Sequence, residues 1–258
     1  MTEIRFDGWT VAYALLGVAI GWFIGRITSR RSSRAASDLA LASAAPPPLY
    51  RIDTLAISLT FDEEGDGTFV RRESGIEPTA DLGEVVLPYA FAVTPQGSLE
   101  APLLRSLSPQ VAASWRPTTL QPTRTEGTLL LRGDINAGTA TAGYELTQSF
   151  RRGFFMSKEE TLAAYRDSPM KREYLGVAAY APTRRLEFTV VFPESHHRLA
   201  DGPTAVAFVG ETEFENETET ARMAPFLKVE PGRARLELEN PRRGVRYAIT
   251  WLAPARGK

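Results

Sequence analysis

The sequence contains no cysteine and only two histidines, His196 and His197. The absence of cysteine excludes disulfides, thiolate nucleophiles, and zinc or iron–sulfur sites with cysteine ligands. Most hydrolytic and metal-dependent mechanisms use histidines that distant parts of the chain hold in place, and two neighbours in one turn-like stretch suit such a mechanism poorly. We therefore expect no catalytic set, no cofactor and no metal site, and we expect a solvated loop around the two histidines.

An excess of charge of one sign is also missing. Lys and Arg number 30 against 31 Asp and Glu, which gives a formal net charge of -1. No overall field therefore attracts the chain to nucleic acid, and we expect no nucleic-acid partner. The chain also lacks a glycine-rich phosphate loop and the GxSxG turn of serine hydrolases.

One long apolar run stands out near the start of the chain, and its residues 9–25 carry no charge. As a helix, residues 9–27 would span roughly 28 Å, close to the ~30 Å hydrocarbon core of a bilayer. A signal peptide would carry a basic region before the apolar run, but here Arg5 is flanked by Glu3 and Asp7. The larger basic group comes at the end of the run and after it, at Arg26, Arg30, Arg31 and Arg34. The pattern predicts a retained single-pass membrane anchor, and the positive-inside rule predicts a cytoplasmic body.

Three glycines recur every four residues inside this run, at Gly17, Gly21 and Gly25. Glycines at this spacing form a flat stripe on one helix face, along which two helices can approach closely. The stripe predicts a homo-oligomer formed through the membrane helix. The alternative is that glycine is simply common in membrane helices.

Composition divides the chain into four predicted parts. The anchor with its basic flank takes residues 1–34, and a linker rich in Ala and Pro takes residues 35–49. A β-rich domain follows at 50–155, and a β-sandwich domain at 156–258.

Period-two alternation dominates the body, as in Leu55, Ile57, Leu59 and Phe61. Ser157 and Glu160 form a capping box that predicts a short helix ending near Arg166. A hairpin partner is predicted at 68–72, and a strand at 84–93 in which Pro88 indicates either an edge position or a bulge. A short helix is predicted at 99–107, a second hairpin of 128–135 with 144–150, and a charge-guarded edge strand at 211–220. Further strands are predicted at 174–180, 186–192, 205–209, 235–238 and 247–252.

These elements predict an all-β fold, either one large β-sandwich or two in tandem, with a short connector helix. The segments Ala181–Pro193 and Asn240–Trp251 resemble parts of uncharacterised immunoglobulin-like β-sandwich modules of bacterial multidomain proteins. The resemblance implies a binding or scaffolding role and implies no catalytic residue.

Arginines gather in the last third of the chain. We expect a basic face for an anionic ligand or lipid, formed by Arg242, Arg243 and Arg246 together with Arg184, Arg185 and Arg198. The alternative is that these arginines are solvated or paired with the many glutamates.

These observations predict a membrane-tethered, non-enzymatic protein that binds or scaffolds a protein partner at the cytoplasmic face of the membrane. One alternative is a sensor or effector of a signalling or defence system that acts by clustering its membrane helix. A second alternative is a hydrolase with an unrecognised pair of carboxylates.

Overall fold

The computed structural model describes residues 49–80, 82–135, 137–138, 142–166, 168, 170–196, 202–209 and 214–255. The predicted anchor at 9–27, its glycines Gly17, Gly21 and Gly25, and the arginines Arg26, Arg30, Arg31 and Arg34 lie outside these residues. Within the described part of the chain, no helix combines the length and the apolar character that a membrane crossing requires.

Strands make up most of the described chain, which confirms the prediction of an all-β fold. In chain order they are β1 Tyr50–Phe61, β2 Gly67–Pro78, β3 Leu82–Ala92, β4 Ser98–Leu99, β5 Leu103–Ser106, β6 Val111–Gln121, β7 Arg124–Ile135, β8 Ala142–Arg151, β9 Glu173–Ala178, β10 Thr183–Val191, β11 Thr204–Val209, β12 Leu227–Glu230, β13 Arg233–Glu239 and β14 Val245–Trp251.

The helices are short. Helix α1 spans Lys158–Ala164, and the side chain of Ser157 accepts a hydrogen bond from the Glu160 N–H as the capping box predicts, although the helix ends two residues before Arg166. Helix α2 spans Glu217–Met223. Two 3-10 turns, Glu194–His196 and Ala224–Phe226, complete the set of described helical elements.

The strands form three sheets. The large sheet has the order β12-β13-β10-β1-β2-β8, with β4 and β5 both on the far side of β8. The first small sheet has the order β3-β7-β6, and the second small sheet has the order β11-β14-β9. Strand β3 lies at the edge of its sheet, which is the first of the two positions that Pro88 indicated, because proline cannot donate to a central ladder.

Strands β1 and β10 lie side by side in parallel, with Leu55 opposite Leu186 and Leu59 opposite Val190. The large sheet therefore contains strands from both sides of the boundary at 155/156. Its central strands alternate, so that side chains such as Leu59 and Phe188 are fully buried while their neighbours face outward.

Both small sheets pack on the inner face of the large sheet. Aromatic rings mark the contacts: Phe69 of β2 stacks on Phe91 of β3 at 4.7 Å between ring centroids, and Phe61 of β1 stacks on Trp251 of β14 at 6.0 Å. One hydrophobic core connects the buried faces of all three sheets.

Four predictions are wrong. The segment 99–107 is not a helix but contains β4 and β5. Strands β7 and β8 do not form a hairpin with each other, since β7 pairs with β3 and β6 while β8 pairs with β2.

The other two errors concern polar stretches. Residues 217–220, predicted as part of an edge strand, begin α2, because Asn216 caps the helix by accepting the Glu219 N–H. His196 is not solvated but 2% exposed, and its ring lies parallel to that of Phe192. His197 lies outside the described residues.

Candidate functional site

The strand register brings several turns to the end of the body at which β1 begins. Tyr50 pairs with Pro78 at the end of β2, and Ile52 pairs with Thr183 at the start of β10. The backbone N–H of Thr79 donates to the Leu49 carbonyl over 2.9 Å. The first described residue, Leu49, therefore enters the fold beside the β2–β3 turn and the β9–β10 turn.

The turn between β13 and β14 lies at this same end. The backbone N–H of Asn240 donates to the Arg184 carbonyl over 2.7 Å, and that of Gly244 donates to the Ala179 carbonyl over 2.9 Å. We call this end of the body the basic end, and it consists of Leu49, Arg51, Tyr180, Arg184, Arg242 and Arg243.

Arg184 is presented to solvent. Its side chain is 67% exposed, and its Nε donates to Oδ1 of Asp53 over 2.6 Å. This hydrogen bond lowers the pKa of the Asp53 carboxyl below its usual value. A surface pair of this kind adds little to stability, so the guanidinium can exchange partners at small cost.

Arg243 is also exposed, and its Nε donates to the backbone carbonyl of Tyr180 over 3.0 Å. This bond spans two turns that are distant in sequence. It therefore fixes the position of the guanidinium relative to Tyr180, whose side chain is 45% exposed.

A buried carboxylate anchors the neighbouring Arg242. Glu219 is fully buried, and its Oε1 accepts from the Tyr247 hydroxyl over 2.8 Å and from Nη2 of Arg222 over 2.6 Å. Nε of Arg242 lies 3.2 Å from the other oxygen, Oε2, and its backbone N–H donates to the Tyr247 hydroxyl over 2.6 Å. Burial alone raises the pKa of Glu219, but Arg222, Tyr247 and Arg242 together hold it below its usual value.

Arg246 takes a different role from its two neighbours. Its guanidinium lies over the ring of Phe208, 4.7 Å from the centroid, and 5.5 Å from the centroid of Tyr174. Arginine commonly stacks on aromatic faces in this way. The three arginines predicted as an anion site are therefore not together. Arg242 and Arg243 lie in one exposed turn, whereas Arg246 belongs to β14 and packs on aromatic rings of the neighbouring strands β9 and β11.

Arg185 belongs to the outer face of the large sheet. It pairs with Glu187, and Nη2 lies 3.7 Å from Oε2 of Glu237. Arg198 lies outside the described residues.

A charged network that the sequence analysis missed lies beneath the first small sheet. Glu73 is fully buried, and its Oε1 accepts from Nη2 of Arg71 over 2.5 Å and from the Tyr144 hydroxyl over 2.9 Å. Burial lowers the pKa of Arg71, but Tyr144 and Glu73 outweigh that effect and raise it. The alternation of Phe69, Arg71 and Glu73 in β2 would have revealed two charges on an inward face.

Glu173 is a third buried carboxyl, after Glu219 and Glu73, that sequence reasoning missed. It is 2% exposed, and its Oε2 accepts the backbone N–H of Phe155 over 3.0 Å. Burial raises the pKa of this carboxyl well above its usual value, against the smaller opposing effect of that hydrogen bond.

A cavity of about 100 Å³ lies beside the buried histidine, and its lining includes Phe192, His196, Val229 and Glu230. Pockets for organic ligands usually measure about 300–1,000 Å³, so this cavity has room for a few waters at most. Within the described residues, no group of three or more histidine or acidic side chains is placed to hold a metal ion.

The outer face of the large sheet is broad and polar. One row of outward residues crosses five strands in register, and it consists of Arg235, Thr189, Ser58, Val70 and Thr147. Leu103 of β5 continues the row beyond Thr147 and is 71% exposed.

No family model and no curated protein matches the sequence. Among solved structures, a candidate protease from Parabacteroides distasonis is 8% identical with a TM-score of 0.39, covering 80% of this chain and 41% of its own. The M1 zinc metallopeptidase from Deinococcus radiodurans is 10% identical with a TM-score of 0.33, covering 78% and 42%. Leukotriene A4 hydrolase from Saccharomyces cerevisiae is 9% identical with a TM-score of 0.32, covering 82% and 33%.

This chain spans less than half the length of each of these proteins. Structural similarity at these TM-scores gives no basis for assigning an activity to this chain. The resemblance to immunoglobulin-like modules stays a prediction.

Proposed function

We propose that this chain is a non-enzymatic, single-pass membrane protein whose β body binds a protein partner at the cytoplasmic face. One observation carries the proposal: the chain enters the body at the basic end, beside Arg184, Arg242 and Arg243. An anchor at 9–27 would then hold this end towards the membrane and leave the sheet faces accessible from the cytoplasm. The apolar run and its arginine flank support the anchor.

We also propose that the two predicted β domains form one sandwich. The parallel pairing of β1 with β10 and the shared core support a single body, because strands from both halves complete the same sheet. A body of this kind can present one continuous binding face on a single tether.

The anchor is tested by alkaline extraction of membranes from cells that express the full chain. We expect the full chain to stay with the washed membranes and a variant lacking residues 9–27 to be released. Release of the full chain by the wash would contradict the anchor. A variant that lacks residues 35–45 of the linker serves as the length control, and we expect it to stay in the pellet.

We place the partner on the outer face of the large sheet. The eight strands of the large sheet occupy seven positions ~4.8 Å apart, and at an average length of about seven residues they present roughly 670 Å² in projection. That area is comparable with the ~800 Å² that each side of a standard protein interface buries. The mixture of Thr, Ser, Val and Arg also fits such interfaces, which are about as polar as the rest of a protein surface.

Site-specific photo-crosslinking tests this placement. A benzoylphenylalanine at Thr189 or Thr147 should give a discrete adduct in intact cells, and one at Gln121, on the exposed β6–β7 hairpin, should not. Replacing the central Ser58 with Arg should abolish both adducts, with near-ultraviolet circular dichroism as the check on folding. Adducts from Gln121 alone, or adducts that survive Ser58→Arg in a folded protein, would place the partner elsewhere.

A further inference from the structure

We infer that the outer face of the large sheet binds the same face of a second copy of this chain, which gives a two-fold symmetric dimer. This inference rests on the proposed function, because it names the partner that the outer face binds. The second copy is favoured because the charges on this face complement themselves when one face is rotated by half a turn and laid on the other.

Strand β13 carries the clearest part of this charge pattern. Its outward side chains are, in chain order, Arg233, Arg235, Glu237 and Glu239, and the residues between them are buried. Two positive charges are therefore followed by two negative charges over roughly 20 Å. A two-fold axis that crosses the strand at Leu236, perpendicular to it, places Arg233 over Glu239 of the second copy and Arg235 over Glu237 of the second copy.

The charges at the two ends of β13 form no ion pair inside the described part of the chain. Arg235 pairs with Glu237, and Arg185 lies 3.7 Å from the same carboxylate, but Arg233 and Glu239 have no such partner. They cannot pair with each other in one copy, since roughly 20 Å separates them along the strand. The two-fold axis pairs both of them, and it does so twice. Charges that are unpaired in one copy and paired in two favour a second copy as the occupant.

Arg72 is a third such charge, near the middle of the face. It is exposed and lies between Ala56 of β1 and Glu145 of β8, and within the described ranges Glu145 pairs with Arg105 instead. The same axis lays each strand antiparallel over its own copy. Glu145 of the second copy then lies one strand and one row from Arg72, a diagonal spacing that long side chains can bridge.

The middle of the face also suits close packing of two sheets. Along β1 the outward residues Ala56, Ser58 and Thr60 are small and uncharged. With β1 antiparallel over its own copy, these residues face each other, and the sheets can approach to the ~10 Å of packed sheets. The roughly 670 Å² of the face is comparable with the ~800 Å² that each side of a standard interface buries.

Thiol crosslinking of the full chain in detergent micelles tests the inference. Because the sequence has no cysteine, Ser58→Cys introduces a single thiol near the centre of the face. In the dimer the two thiols lie roughly 10 Å apart, one row from each other on facing sheets. A short bis-maleimide should therefore give a covalent dimer. Gln121→Cys, on the β6–β7 hairpin, should give none.

Charge reversal tests the pairing in the Ser58→Cys background, with the crosslinking yield followed over protein concentration. R233E should raise the dissociation constant of the dimer about tenfold or more, because two pairs are lost, two like-charge contacts form, and one exposed pair contributes up to about fivefold. E239R should weaken the dimer similarly. An equimolar mixture of R233E and E239R should regain the parental yield, because every Arg faces a Glu again in the mixed dimer.

The matched control is R132E, on the outer face of the first small sheet, where Arg132 pairs with Glu84. It reverses the same kind of charge away from the dimer face and should give the parental yield. Near-ultraviolet circular dichroism checks that each variant folds. If a reversal prevents folding, R233Q removes the charge without reversing it and should still lower the yield.

Absence of a covalent dimer from Ser58→Cys would overturn the inference, as would a parental yield from folded R233E. Failure of the mixture to regain crosslinking, with both variants folded, would also overturn it. The proposed function fails in a different way, when benzoylphenylalanine at Thr189 and Thr147 gives no adduct of any kind. Adducts with another protein, without a covalent dimer from Ser58→Cys, would overturn the second copy and leave the proposed outer-face partner standing.

Discussion

Glu173 is a buried acid whose replacement by Gln should stabilise the protein more as the pH rises. Burial raises the pKa of the folded carboxyl well above the 4.5 of an exposed glutamate. The folded state therefore keeps a proton that the unfolded state loses. The stability that Glu173 contributes is fully present below pH 4.5 and declines as the pH rises towards the folded pKa. Glutamine has nearly the same shape, keeps an acceptor for the Phe155 N–H and does not titrate.

The magnitude follows from linkage. For every pH unit above the unfolded pKa over which the folded carboxyl keeps its proton, the wild-type protein loses about 1.36 kcal/mol relative to Glu173→Gln. Urea unfolding of both full-length proteins in detergent micelles, followed by near-ultraviolet circular dichroism at several pH values, measures this difference. A difference in unfolding free energy that stays constant between pH 4 and pH 7 (a range on both sides of the pKa in the unfolded chain) would refute the reasoning.

Glu219 provides a control of the opposite sign. Its pKa is lowered in the folded state, so the stability it contributes is present above pH 4.5 and is lost as the pH falls through the folded pKa. The difference in unfolding free energy between wild type and Glu219→Gln should therefore change with pH below pH 4.5. In that range the corresponding difference for Glu173→Gln no longer changes.

Three further predictions concern the buried network of Arg71 and Glu73, the Tyr247 hydroxyl that contacts Glu219 and Arg242, and the predicted membrane anchor. Arg71→Leu should lower the free energy of unfolding by about 3–5 kcal/mol in urea melts, because it leaves the Glu73 carboxylate buried without its cation, and the double change to leucine should recover much of the loss. Tyr247→Phe should cost about 1–3 kcal/mol in the same melts, since Glu219 and the Arg242 N–H both lose a buried partner. Gly21→Ile should weaken self-association in a membrane two-hybrid assay, and unchanged association would count against the glycine stripe.

Local pattern predicted the strands well where one face of the sheet is buried. Leu55, Ile57, Leu59 and Phe61 alternate because their side chains all enter one core, and β1 contains all four. Strand β6 was missed because Pro117 and a run of small polar residues weaken its alternation. The sequence around 99–107 contains good helix formers, but pairing with β8 outweighs that weak local preference.

Pairing between distant strands could not be predicted in the same way. The stretch from 128 to 150 has two strands and a turn of hairpin composition, yet β7 and β8 enter different sheets. The parallel contact of β1 with β10 joins residues about 130 positions apart and has no local signature. Register of this kind depends on the whole core.

The same limit applies to the basic end. The sequence analysis grouped Arg184, Arg242 and Arg243 only because many arginines occur in the last third of the chain. Only the β1–β10 pairing brings them beside Leu49, where the chain enters the body. The burial of Glu219, which holds Arg242, was hidden because an acidic stretch predicts a solvated strand, whereas Asn216 caps a helix there.

Thiol accessibility on the two sides of the membrane tests the central claim most directly. Two single-cysteine variants of the full chain, Thr2→Cys before the predicted anchor and Glu64→Cys in the body, are treated in spheroplasts with a membrane-impermeant maleimide. A body held at the cytoplasmic face predicts that Thr2→Cys is labelled in intact spheroplasts and that Glu64→Cys is labelled only after lysis. Labelling of Glu64→Cys in intact spheroplasts would contradict the account.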